Sequence, residues 1–398
     1  MARWILAAIV LAAASGCEGV DFSEKKQEAQ KRWFNARARV LYRLAENRFS
    51  SGELKEAASS ATQALVLQPD YDKPMLLLAK IEIEEGKYSA AIARLREIER
   101  ARPDSSEVAY LLGAAQEKGG LLSDALANYR RAYALDESNL GAVKAAAEVL
   151  TAMGDVRPAQ LHVESYLPKA KDDPGMYELA GRLALMTNDF DRAVEYLERA
   201  RDLDPRNTRY AEMLARAQYS VGRHADAIDT LTELTGRREQ KAATWVYLML
   251  GDCHLALGKA HQAFDAYFSA SEQAPEDPAV WVALARSALA MKDASRAALA
   301  AQRALALAPG ELDATLLLGY ALLREGRPGE AIEVLRPAAD QHPKSATVRC
   351  LLGRAFSAGG NVAEAIRWYT SALSVDPGNE LARELLAAAG GGEISKVE

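Results

Sequence analysis

Small apolar residues return along this chain at a fixed phase. Alanine recurs as Ala57, Ala91, Ala125, Ala159, Ala193 and Ala227, then as Ala263, Ala297, Ala331 and Ala365, every 34 residues with one step of 36. Twelve residues ahead of each stands a second small residue: Ala45, Ala79, Gly113, Ala147, Gly181, Ala215, Gly251, Ala285, Gly319 and Gly353, mostly preceded directly by Leu. A period of this length suits one helix-turn-helix unit, and a small residue held at one phase marks where two helices come too close for a larger side chain. The turn-forming and polar positions keep the same beat. Gly52, Gly86, Gly120, Gly154, Gly222, Gly258, Gly326 and Gly360 fall between the two helices of a unit and predict the turn. Pro69, Pro103, Pro205, Pro275, Pro309, Pro343 and Pro377 close most units, and Ser105, Asn139, Asp173, Asn207, Asp277, Ser345 and Asn379 stand where the next helix needs an N-terminal cap.

This order of small residue, small residue and Pro at fixed offsets resembles the tetratricopeptide repeat over residues 38–379. The resemblance implies an all-α fold, a right-handed solenoid of about ten antiparallel helix pairs. Beyond it, Leu381, Leu385 and Leu386 share one helical face in residues 380–398, which read as a capping helix followed by Gly390 to Gly392 and a short charged tail. Three places break the pattern. The fourth unit, residues 140–173, lacks the closing Pro, carries Tyr166 where most units have Ala, and runs into the polar stretch Pro168 to Pro174. Either a hinge or plain repeat degeneracy accounts for it. Two extra residues near Thr235 to Lys241 predict a surface bulge. Pro337, inside a second helix, predicts a kink or a shortening, whereas Pro328 falls in a first turn and is harmless.

The first sixteen residues follow a different rule: Arg3, the apolar run Trp4 to Ala14, then Ser15 and Gly16 ahead of Cys17. This is the order of a secretory signal. Ala14-Ser15-Gly16-Cys17 resembles the lipobox of bacterial lipoproteins, which implies acylation of Cys17 and a place on the periplasmic face of the outer membrane, since Glu18 replaces the Asp that commonly retains such proteins in the inner membrane. Ala14 departs from the Leu preferred there, and an ordinary signal peptide, giving a soluble periplasmic or secreted protein, is the alternative. Residues 17–37 then form a lipid-anchored spacer and lead-in helix, with Trp33 and Phe34 packing on the first repeat, and the net negative charge leads to the expectation that the membrane is met through the N-terminal lipid only.

Composition narrows the function. Apolar residues make up 49% of the chain and aromatics only 7%, which suits Ala- and Leu-lined helix packing rather than a large aromatic pocket. A net charge of −6 without a long basic block argues against nucleic acid. Cys253 and Cys350 fall three units apart, too far to bridge, and read as buried thiols. Cys253, His254 and His261 are the one cluster with ligand chemistry, but neighbours on a helix point to different faces, so no metal and no cofactor is expected. No phosphate-cradling loop or nucleophile elbow occurs, and the repeats leave no separate domain to shape a water-excluding site. An enzyme is not expected.

In the resembling family the second, fifth, ninth and twelfth positions of each first helix line a concave groove. The ninth positions here include Lys80, Arg182, Arg216, Arg286, Tyr320 and Arg354, and the apolar or aromatic groove positions include Tyr42, Tyr110, Tyr219 and Trp245. The arginines either form a row for an anionic or carboxylate-bearing partner or pair with Glu178, Glu212 and Asp252. Two functions follow: a scaffold that holds proteins or peptides of the cell envelope, or an accessory factor that binds an anionic polysaccharide or its synthase during export.

Overall fold

The computed structural model describes residues 22–236 and 242–390, all of its regular structure helical. The leader, Cys17, most of the expected bulge at 235–241 and the tail from 391 lie outside the described residues.

The helices fall into two compact bodies divided between Thr187 and Asn188. The N-terminal body holds α1 (Phe22–Ser50), α2 (Leu54–Leu67), α3 (Asp72–Glu84), α4 (Tyr88–Ala101), α5 (Ser106–Lys118), α6 (Leu122–Leu135), α7 (Leu140–Ala152), α8 (Val156–Tyr166) and α9 (Pro174–Met186). The C-terminal body holds α10 (Phe190–Leu203), α11 (Thr208–Val221), α12 (His224–Gly236), α13 (Thr244–Ala256), α14 (Ala260–Gln273), α15 (Pro278–Ala290) and α16 (Ala294–Leu307). It continues through α17 (Leu312–Arg324), α18 (Pro328–Gln341), α19 (Ala346–Ala358), α20 (Val362–Val375) and α21 (Glu380–Ala388). Within each body, first and second helices of a repeat pack as a pair and each pair stacks on the next, so the fold is an all-α solenoid.

The turns form because the chain reverses through one left-handed residue. Eight repeats place Gly there with φ between 71° and 88°, where a Cβ would be strained. The other two repeats use Asn188 at φ 57° and Lys292 at φ 63°. Asn tolerates this region; Lys has no such excuse. All seven expected caps are made, as when Ser105 Oγ accepts from the Val108 N–H and Asn379 Oδ1 from the Ala382 N–H.

Both ladders of small residues lie at helix–helix contacts, and all ten Ala residues of the first ladder are fully buried. In the second ladder, Gly113 faces the ring of Tyr129, Gly251 that of Tyr267, Gly319 the side chain of Leu335 and Gly353 the ring of Tyr369. Three of the largest fully or nearly fully buried side chains thus sit opposite the smallest residue available. In the N-terminal body Ala79, Leu95 and Leu112 share one core cluster, while in the C-terminal body a larger core runs from Ala263 to Leu386.

The irregular places resolve locally. Tyr166 ends α8 after 11 residues, three short of α6, and its ring packs edge-on against Tyr133 at 4.7 Å and His162 at 5.0 Å. The helix stops just ahead of Pro168, which has no backbone N–H with which to continue it. Pro337 does not shorten α18, which keeps 14 residues and runs through the proline with that one backbone donor missing. The lead-in helix and the first helix of the first repeat form one element, the 29-residue α1. Phe34 is half-buried on it, but Trp33 is 53% exposed rather than packed. In α21, Ala382 and Leu386 are buried while Leu381 is 51% exposed, so the covered face is turned away from that expected of Leu381. Cys253 and Cys350 are free and buried.

Candidate partner-binding groove

The period of the repeat fixes which side chains share a face, and ninth-position residues of consecutive repeats lie close enough for long side chains to meet. In the N-terminal body Arg182 reaches Glu148, the ninth position of the preceding repeat, at 3.6 Å, with Glu178 at 3.9 Å. Lys80 pairs with Glu107 at 2.8 Å. Tyr42 donates its hydroxyl to Glu46 and meets Tyr71 edge-on, 5.5 Å between ring centres. Burial, reinforced by the Glu46 carboxylate, pushes the Tyr42 phenol far above its ordinary range. Tyr110 packs on Tyr129 at 5.3 Å, and the Tyr129 hydroxyl donates to Glu117 at 2.6 Å.

The C-terminal body repeats the arrangement with different partners. Arg286 Nη2 donates to Asp252 Oδ1 at 2.7 Å and to the Tyr267 hydroxyl at 3.3 Å, while that hydroxyl donates to the same carboxylate at 2.6 Å. One buried phenol thus holds an ion pair between two ninth positions. Burial and the Asp252 carboxylate raise the Tyr267 phenol well above its usual value. Arg216 lies over the Trp245 ring, 4.4 Å from its centre, and Arg354 over Tyr320 at 5.6 Å. These two guanidiniums are held by stacking and have no ion-pair partner among the described residues. Tyr219 meets His224 edge-on at 5.6 Å. The expected arginines therefore divide: Arg182 and Arg286 face carboxylates, Arg216 and Arg354 face aromatic rings.

Next to the Arg354–Tyr320 stack the groove opens into a cavity of about 380 Å³, mostly apolar, lined by Leu289, Leu316, Tyr320, Leu351, Arg354 and Leu381. Each comes from a first helix (α15, α17, α19) or from α21. The missing signal was Leu381: read as a covered residue of the cap, it instead extends the groove wall. A second apolar hollow, about 470 Å³, lies toward the second helices, where Phe264, Phe268 and Leu299 surround Trp281. The sequence carried a hint in Phe264 and Phe268, one helical turn apart on α14. Among the described residues no three His, Cys, Asp or Glu side chains converge on a point that could hold a metal ion. Burial raises the Cys253 thiol to about 11, so it is neither a ready ligand nor a nucleophile.

Two sequence profiles of the tetratricopeptide repeat match the chain, one over residues 178–242, 282–346 and 316–380, the other over residues 48–115. Among solved structures, Cut9–Hcn1 of the APC/C hetero-tetramer is 19% identical, over 88% of this chain and 76% of that one, with a TM-score of 0.41. The MamA protein is 21% identical, over 44% of this chain and 93% of its own, also with a TM-score of 0.41. No curated protein matches the chain. Repeats of this type typically build non-catalytic surfaces that bind proteins or peptides. With more than half of its length matched by the repeat, and with the turns, caps and small-residue contacts of the repeat in place, the chain belongs to the tetratricopeptide repeat family.

Proposed function

We propose that this protein is a lipid-anchored scaffold of the bacterial cell envelope that holds an extended or helical segment of a partner protein in the groove of its C-terminal body. The observation that carries the reading is the open apolar cavity beside a stacked, carboxylate-free guanidinium at Arg354. An apolar anchor with one adjacent acidic group satisfies both walls of such a site. The envelope address draws on the Cys17 motif and the apolar run before it. Arg354→Glu with Tyr320→Ser should abolish capture of a defined envelope protein while leaving thermal unfolding unchanged. Undiminished capture would remove the groove from the account. The mass of the N-terminal peptide tests the anchor separately, an unmodified terminus other than Cys17 counting against it.

A second reading, in which the groove takes an anionic polysaccharide or its synthase, draws on Arg216 and Arg354 together. Loss of an exported polymer in a deletion strain, with protein complexes intact, would favour it. Arg182 and Arg286 offer it less, since each already faces a carboxylate.

A further inference from the structure

The first helix carries a surface that the groove does not use. Trp33, Val40 and Leu44 on α1 are 53%, 65% and 40% exposed, and at about 100° per residue they fall within about 40° of one another on the helix. Lys26 falls on the stripe itself, level with Leu44, and Arg37 lies just beside it; Lys25, Arg32 and Arg43 line the other flank, with Arg39, Glu28 and Glu46 further round the helix. Eight cations stand against three carboxylates in α1, in a chain whose net charge is −6. Arg37 lies over the Trp33 ring at 5.2 Å and Arg32 pairs with Glu28, but Lys25, Lys26, Lys31, Arg39 and Arg43 have no ion-pair partner among the described residues. At the other end, α21 covers its last repeat with Ala382 and Leu386 and turns Glu380, Arg383 and Glu384 outward. Leu381 is the one large apolar residue that α21 leaves exposed, against three on α1, and the outward charges of α21 are of both signs rather than mainly cationic.

We infer that the outer face of α1 docks flat on an anionic lipid surface, its Trp33–Val40–Leu44 stripe entering the headgroup region and its flanking Lys and Arg side chains reaching the phosphates. The chemistry of the face selects this occupant. A second copy would set two strongly cationic helices against each other. A narrow apolar stripe with a Trp and cations on both flanks is the composition of an interfacial helix, whose long basic side chains bury their stems and keep their charges at the headgroups. No helix among the described residues is long and apolar enough to cross a membrane, so α1 would lie on the surface. The inference leans on the anchor reading in one respect: an acyl group on Cys17 would hold Phe22 within about 18 Å of the bilayer, five extended residues away.

The test uses the chain from residue 17 onward carrying Cys17→Ser, so that neither the acyl group nor the apolar run Trp4 to Ala14 contributes, with vesicles of phosphatidylethanolamine and phosphatidylglycerol compared with vesicles of phosphatidylcholine. Partitioning should favour the anionic vesicles and weaken with salt. Lys26→Glu, Arg37→Glu and Arg43→Glu together should reduce it at least about 100-fold with an unchanged unfolding midpoint. Trp33→Ser should weaken it without altering the preference for anionic lipid. Equal binding to neutral vesicles, or full binding by the charge-reversed chain, would overturn the inference. So would burial of Trp33 in the free protein by residues 17–21 or in a dimer, and so would loss of an acidic envelope protein on charge reversal with vesicle binding intact. Because acylation is removed from the start, a negative result retires the α1 surface and leaves the anchor to its own mass measurement.

Discussion

The ring of Tyr369 occupies the space that a side chain on Gly353 would need: a methyl group built there would come within 2.6 Å of the ring's Cε1. The two residues stand sixteen apart, one on each helix of the last repeat, and Gly113 with Tyr129 and Gly319 with Leu335 have the same spacing, each with a closest approach of 2.7 Å. Tyr stands opposite only Gly, at Gly113, Gly251 and Gly353, whereas Ala79 faces Leu95 and Ala215 faces Leu231, a size that Gly319 also meets in Leu335. Gly353→Ala should therefore destabilise by about 1–3 kcal/mol despite the better helix propensity of Ala. Adding Tyr369→Leu, which copies the Ala79–Leu95 pair, should recover part of the loss. A double-mutant cycle read by denaturant unfolding checks the coupling, and additive effects would contradict it.

Lys292 takes the left-handed turn position that glycine holds in eight repeats. Lys292→Gly should stabilise by about 1 kcal/mol, because relief of the Cβ strain exceeds the added freedom of the unfolded chain. Asn188→Gly should gain less, since Asn tolerates φ 57°. Unfolding midpoints of the two variants decide.

The His162 ring is half-buried beside Tyr166, with its Nε2 unpartnered. Burial, with the nearby Arg130 charge, holds its pKa below the ordinary value against a hydrogen bond to the Val143 backbone. The unfolded chain thus binds the proton more readily than the folded one. Stability from this group is complete above about pH 6.5 and falls as the pH drops below that toward the lowered native value. His254, also lowered by burial and then by Lys259, acts in the same direction. The unfolding midpoint should decline from pH 7 to pH 5, and His162→Leu should make the decline shallower; an unchanged slope would contradict the assignment.

Thiol reactivity gives an independent check on the core. Cys253 and Cys350 are buried, and burial raises both thiols, so neither should react with iodoacetamide in the native protein near pH 8. Both should react on unfolding.

Much of this was legible in the ladders. Repetition makes each signal its own control, so the turns, the seven caps and both small-residue contacts could be placed by phase alone. The sizes of the partners could not. That Gly353 is Gly because residue 369 is Tyr depends on a contact between two helices, not on either helix by itself. The boundary set at residue 38 came from the repeat phase, yet no Gly or Pro interrupts residues 22–50 to end a helix there, and α1 runs through. For the candidate groove, the phase grouped these first-helix positions on one face, but it could not tell which arginines would meet carboxylates. That depends on which residue holds the same position one repeat earlier: Asp252 for Arg286, Tyr320 for Arg354. The cavity beside Leu316 is a gap between repeats, and no single repeat encodes its volume.

A photoreactive amino acid placed at Tyr320 in the groove, and in parallel at Phe268 on the opposite helix layer, shows which face holds a partner when the crosslinked products are identified from intact cells. A discrete adduct with one envelope protein from position 320, absent from position 268 and abolished by Arg354→Glu, is the predicted result. Adducts confined to position 268, or an adduct at 320 indifferent to Arg354, would contradict a partner held in the groove of the C-terminal body.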